Sequence, residues 1–225
     1  MNEIPIDIVS DVMCPWCFVG KRRLEKAVQM VGTDVDVHVN WRPYQLDPTL
    51  PKEGKDRATY LAEKFGGADR ARTLYRNIDE AGKKDGISFS FDAITLSPNT
   101  LDAHRLIRWS QNAGADVQDR VVERLFELYF IEGKNVGDHA VLIDVAKECG
   151  MDAAVVSSLL ATDSDKEEVR REIAVAQSMG VTGVPCFIIG QRYAVMGAQD
   201  PQTLAEAIMR VADGSGAADE AAAPR

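Results

Sequence analysis

Cysteine is scarce in this chain, with four residues in 225, too few for a disulfide scaffold. No apolar run approaches the roughly 18 residues that a membrane span needs. The first residues, Met1-Asn2-Glu3-Ile4-Pro5, lack a positive segment followed by an apolar stretch, so no secretory signal is expected. Positive charge is in deficit: 26 Lys and Arg stand against 35 Asp and Glu, a formal charge of −9. That balance gives no global pull toward nucleic acid or an anionic membrane. What remains is ordinary globular composition, 45% hydrophobic and 27% charged, long enough for one large domain or a domain with an inserted subdomain. The expected compartment is the cytoplasm. There, a few cysteines point to redox chemistry, metal binding or core packing.

Apolar spacing places the elements. Ile4, Ile6 and Ile8 alternate with Pro5, Asp7 and Val9, which predicts a strand over 3–9. Leu24, Ala27, Val28 and Val31 fall on one helical face, predicting a helix from Pro15 to Val31 that Gly32 ends. Val35, Val37, Val39 and Trp41 alternate again, giving a second strand. The first 42 residues therefore read as a βαβ unit with a parallel pair. Between 55 and 180 the pattern is helical, with stripes such as Ala103-Leu106-Ile107 and Val122-Leu125-Phe126-Tyr129. Ile87 to Phe91 alternate and predict a short extended piece. Ser97-Pro98-Asn99-Thr100 predicts a helix start. Residues 184–196 predict a hairpin, with a final helix after it around Leu204 to Val211. Residues 214–225 are expected to be disordered.

The informative motif is Cys14-Pro15-Trp16-Cys17, set between the first strand and the first helix. Positions i and i+3 on a helical turn lie about 5–6 Å apart, within reach of a disulfide. Pro15 falls where a helix needs no N–H. Cys14 then meets unpaired backbone N–H groups and the positive end of the helix dipole, which stabilise a thiolate. A CxxC beside a βαβ unit is the pattern of a thioredoxin-like redox site. The competing readings are half of a zinc site, which wants four ligands, and incidental cysteines. Cys149, Cys186, His38, His104 and His139 form no second close pair, and no metal is expected. A second signal is Val184-Pro185, which opens a strand at a position a central ladder does not favour for proline.

Taken together, these segments resemble the thioredoxin superfamily. The likeness is to its DsbA-like branch with a helical insertion, and within that to the FrnE-like group. The group's relatives include 2-hydroxychromene-2-carboxylate isomerases and kappa-class glutathione transferases. The residues that carry the likeness are Asp11 to Gly20, Trp41 to Leu46, Asn99 to Arg105, Leu125 to Phe130, Gly180 to Pro185 and Val195 to Gln199. The resemblance implies an α/β thioredoxin fold, a central mixed sheet flanked by helices. It would be built from 1–54 and 181–213 and interrupted by an all-helical subdomain at 55–180, whose last helix is free to pack on the sheet. It also implies that Pro185 is cis and lies against the cysteine pair. The Val184 backbone would then bind an extended substrate.

The function so implied is a thiol–disulfide oxidoreductase, with Cys14 as nucleophile and Cys17 as resolving thiol. Pro15, Trp16, Val184 and Pro185 are the expected substrate-binding residues. Asn99 and His104 are candidates for a cleft between subdomains. No bound cofactor is expected, although glutathione is a candidate co-substrate. Partners would be disulfide-containing proteins or small thiols, with the chain a monomer or homodimer. Two alternatives stand beside this. One is a glutathione-dependent isomerase or transferase, in which a serine replaces the first cysteine. The other is a non-catalytic binding module on the same scaffold. Two cysteines favour redox chemistry over both. Cys186 follows the proline and reads either as a third thiol near the site or as a core cysteine of its strand, the reading its apolar neighbours favour.

Overall fold

The structure is a computed structural model and describes residues 2–214. The expectation of a disordered tail falls almost wholly outside those residues. In chain order the elements are β1 (Asn2–Ser10), α1 (Pro15–Val31), β2 (Val35–Pro43), β3 (Lys55–Asp56), α2 (Arg57–Phe65), α3 (Ala68–Lys84) and β4 (Leu96–Ser97). They continue with α4 (Leu101–Gln111), α5 (Ala115–Phe130), α6 (His139–Glu148), α7 (Ala153–Leu160) and α8 (Lys166–Ser178). The last are β5 (Cys186–Ile189), β6 (Tyr193–Met196) and α9 (Pro201–Ala212).

A four-stranded mixed sheet runs in the order β2-β1-β5-β6. β1 lies parallel to β2 and antiparallel to β5. Its alternation sorts the two faces. Ile4, Ile6 and Ile8 join Phe187 and Ile189 under α1 and α9 in the main core. On the opposite face Val9 and Cys186 pack with Tyr44, with Ala176 of α8 and with Val181 just beyond it. The helix just before β5 in sequence therefore covers the second face of the sheet. Gly32 closes α1 at φ 70°, a left-handed value that glycine tolerates. Among the described residues, no helix is long and apolar enough to cross a membrane.

Two sequence expectations differ in the middle of the chain. β3 and β4 form a two-residue antiparallel pair in a stretch read as helical apart from Ile87 to Phe91. Two residues are too few to leave a periodic trace. Residues 87–90 form no ladder, and Phe91–Ala93 is a 3₁₀ turn. The alternation there has another cause. Phe89 and Phe91 face the same way to stack on each other, with ring centres 4.6 Å apart, and both meet Phe130 edge-on.

Candidate active site

The site begins where β1 runs out. After Ser10 the chain turns over Asp11 to Met13, and Cys14 becomes the N-cap of α1. The Cys14 N–H donates to the Asp11 carbonyl at 2.9 Å, and the Cys17 N–H donates to the Cys14 carbonyl at 3.0 Å. Pro15 is the first helical residue and costs no hydrogen bond there. No acidic side chain occupies the first turn of α1, so nothing in that turn opposes negative charge on the Cys14 sulfur.

Both cysteines of the pair are buried. Cys14 is 5% exposed and Cys17 1%, while Trp16 between them is half-buried. Burial pushes the Cys17 thiol well above its usual range, and the hydrogen bond and charge of Cys14 push it further. Contacts to the Ser10 side chain and the Asp11 backbone offset part of this. Cys17 thus rests as a thiol.

The strand-opening proline meets this pair. The Val184–Pro185 peptide is cis, and the Cys14 Sγ lies 3.6 Å from the Val184 carbonyl oxygen, to which it donates. The carbonyl that sequence reasoning left free for substrate is therefore occupied by the Cys14 thiol. Pro185 is buried and sits on Gly20 of α1. A Cβ placed on Gly20 would stand 2.9 Å from Pro185 Cγ and 3.1 Å from Phe187 Cζ.

Asp11 braces the turn from below. It is fully buried. Its Oδ2 accepts from the Leu46 N–H at 2.7 Å, and its Oδ1 faces His104 Nε2 at 3.3 Å. His104, expected in a cleft, is 3% exposed and turns inward to Asp11. Asn99 is half-buried. It holds the Leu50 carbonyl at 2.6 Å and Gln45 Nε2 at 3.2 Å, and it lines a small hollow with Lys52, Asp102 and Arg170. His139 bonds Asp102 at 2.7 Å, and His38 is half-exposed. Sequence reasoning missed Asp11 as a brace, because its partner is 93 positions away.

The remaining cysteines stand elsewhere. Cys186 lies opposite Val9 in the sheet, on the face away from Cys14. Cys149 caps the end of α6 in the core. Burial pushes both thiols up. Among the described residues, the one trio close enough to share an ion is Glu3, Asp36 and His38, exposed near the start of the β1–β2 pair.

A mixed sheet with a capped CxxC and a facing cis-proline defines a thioredoxin-fold protein of the DsbA class. The match to the DSBA-like thioredoxin domain spans residues 5–209, and the chain belongs to that family. It is 30% identical over 190 residues to the uncharacterized protein YwbO of Bacillus subtilis, covering 83% of this chain and 87% of that one. The crystal structure of a probable DsbA oxidoreductase from Streptomyces coelicolor superposes with a TM-score of 0.82. That pair shares 28% identity, over 99% of this chain and 92% of the other. The cytosolic disulfide reductase DsbM of Pseudomonas aeruginosa, solved with glutathione, shares the fold. Its TM-score is 0.56 and its identity 16%, over 92% of this chain and 98% of that one.

Proposed function

We propose that this protein is a thiol–disulfide oxidoreductase cycling Cys14 and Cys17. The observation that carries the reading is the placement of Cys14 at the α1 N-cap, against the Val184 carbonyl, with the Cys17 thiol one turn behind it. In the reductive direction the Cys14 thiolate attacks one sulfur of a substrate disulfide. The substrate S–S bond breaks, and one substrate thiolate leaves and takes a proton from solvent. The Cys17 thiol then loses its proton and attacks Cys14 Sγ. The mixed disulfide breaks and releases the second substrate thiol. The protein ends as the Cys14–Cys17 disulfide, oxidised by two electrons, and the substrate as two thiols. The same steps in reverse oxidise a dithiol.

Pro15, Trp16, Val184 and Pro185 form the rim against which the substrate chain lies in this reading. Once Cys14 is in a disulfide, the Val184 carbonyl is released to pair with an extended substrate. A glutathione-type thiol is a fitting partner, and the cytoplasm a fitting compartment. An isomerase that only orients glutathione would need no second cysteine, so Cys17 weighs against it. The test is Cys17→Ser. With no resolving thiol, the variant should accumulate a mixed disulfide on Cys14, visible on non-reducing gels and by peptide mapping. Release of substrate at the wild-type rate would sink the two-cysteine cycle.

A further inference from the structure

Arg57, the first residue of α2, carries a guanidinium that the fold leaves incompletely satisfied. The residue is 6% exposed. Its Nη1 donates to the Tyr129 hydroxyl at 3.1 Å. Its Cζ stands 4.8 Å from the centre of the Tyr75 ring and 5.9 Å from those of Phe91 and Tyr129. Its Nη2 is buried and has no hydrogen-bond partner among the described residues. Ring faces attract a cation but do not replace an anion, and a buried charge without a hydrogen-bonded counter-charge is costly.

Beside it lies an open pocket of about 350 Å³, walled by Leu61, Tyr75, Phe91 and Ile94, with Arg72 also on its wall. That volume suits a small molecule. Asp92 shares the wall with Arg57 and Arg72. The pocket borders the helix that carries the redox pair. α3, which bears Tyr75, packs against α1, and Phe91 of the pocket wall stacks on Phe89, whose ring meets Phe18, the residue after Cys17.

We propose that Arg57 and this pocket form a subsite for the carboxylate of a small disulfide or thiol substrate with an apolar body. The proposal rests on the oxidoreductase reading and names the substrate class of that site. The carboxylate would pair with the Arg57 guanidinium where the residue lines the pocket, and the body would lie on Phe91 and Ile94, with the substrate sulfur directed toward α1 and Cys14.

Two measurements separate the subsite from the redox reading. The first is the rate at which reduced protein releases aromatic thiolate from dithiobis-nitrobenzoate, against the rate with its neutral carboxamide. The fast phase is assigned by its loss in Cys14→Ser. Arg57→Gln should lower the carboxylate-to-carboxamide rate ratio roughly tenfold, the scale of a charge-assisted hydrogen bond. The second is binding of nitrobenzoate itself to a Cys14→Ser/Cys17→Ser protein, followed by NMR shifts at Tyr75 and Phe91, which needs no redox chemistry. Saturable binding that Arg57→Gln abolishes supports the subsite even if exchange fails. Exchange with an unchanged rate ratio, and no binding, overturns the subsite and leaves the oxidoreductase reading standing. Should Arg57→Gln not fold, Ala58→Leu narrows the pocket from an exposed helix position and keeps the guanidinium. Weaker nitrobenzoate binding in that variant supports the proposal, and unchanged binding contradicts it.

Discussion

His104 Nε2 lies 3.3 Å from Asp11 Oδ1, with the two side chains 2% and 0% exposed. The contact ties α4 to the turn that presents Cys14, because the Asp11 carbonyl also accepts the Cys14 N–H. Removing the imidazole would leave the Asp11 oxygen facing a cavity, with both a desolvation cost and a void. His104→Ala should lose about 3 kcal/mol of stability, read as a lower urea midpoint with an unchanged slope. A loss under about 1 kcal/mol would mean that the pair does not brace the turn.

Gly20→Ala sets two effects against each other. Alanine is the better helix former by up to about 1 kcal/mol. Its methyl, however, would press on Pro185 Cγ at 2.9 Å and Phe187 Cζ at 3.1 Å. Both are buried, so overpacking should win, with a net loss of about 1–2 kcal/mol. The same push should move Pro185 away from Cys14 and slow disulfide exchange. A more stable variant with wild-type exchange would show that the two segments are not in close contact.

Alkaline pH should destabilise the reduced protein. Burial pushes the Cys17 thiol well above its ordinary 9.0. It also raises the Tyr129 phenol from 10.0 to about 12, with Arg57 offsetting a part. In the fold both keep protons that the unfolded chain has already released. Their contribution is therefore fully present below the unfolded values and is lost as pH climbs from about 9 through the folded ones. Tyr129→Phe removes one such group. Denaturant unfolding at about pH 8 and pH 11 should show a smaller alkaline loss in that variant, by on the order of 1 kcal/mol. An equal loss in both proteins would place the titrating groups elsewhere.

Reading the sequence recovered what periodicity encodes and missed what distance hides. The spacing of Ile4, Ile6 and Ile8, and of Leu24, Ala27 and Val31, reports burial on one face, and β1 and α1 follow it. The CxxC was legible because its two residues share one helical turn. Asp11 and His104 were visible only as separate residues, since nothing local says that α4 delivers an imidazole to the β1 turn. Arg57 gave no signal at all. It looks like one more surface cation in a polar segment, and only the convergence of Tyr75, Phe91 and Tyr129 from α3, the 3₁₀ turn and α5 encloses it.

The central claim is tested most directly by equilibrating the protein in thiol–disulfide buffers of graded potential and mapping every cysteine by alkylation and mass spectrometry. The expected result is one reversible two-electron transition that links Cys14 to Cys17, with Cys149 and Cys186 alkylatable as thiols, after unfolding, at every poise. Cys14 and Cys17 remaining thiols throughout, or pairing with Cys186 or Cys149 instead of each other, would contradict it.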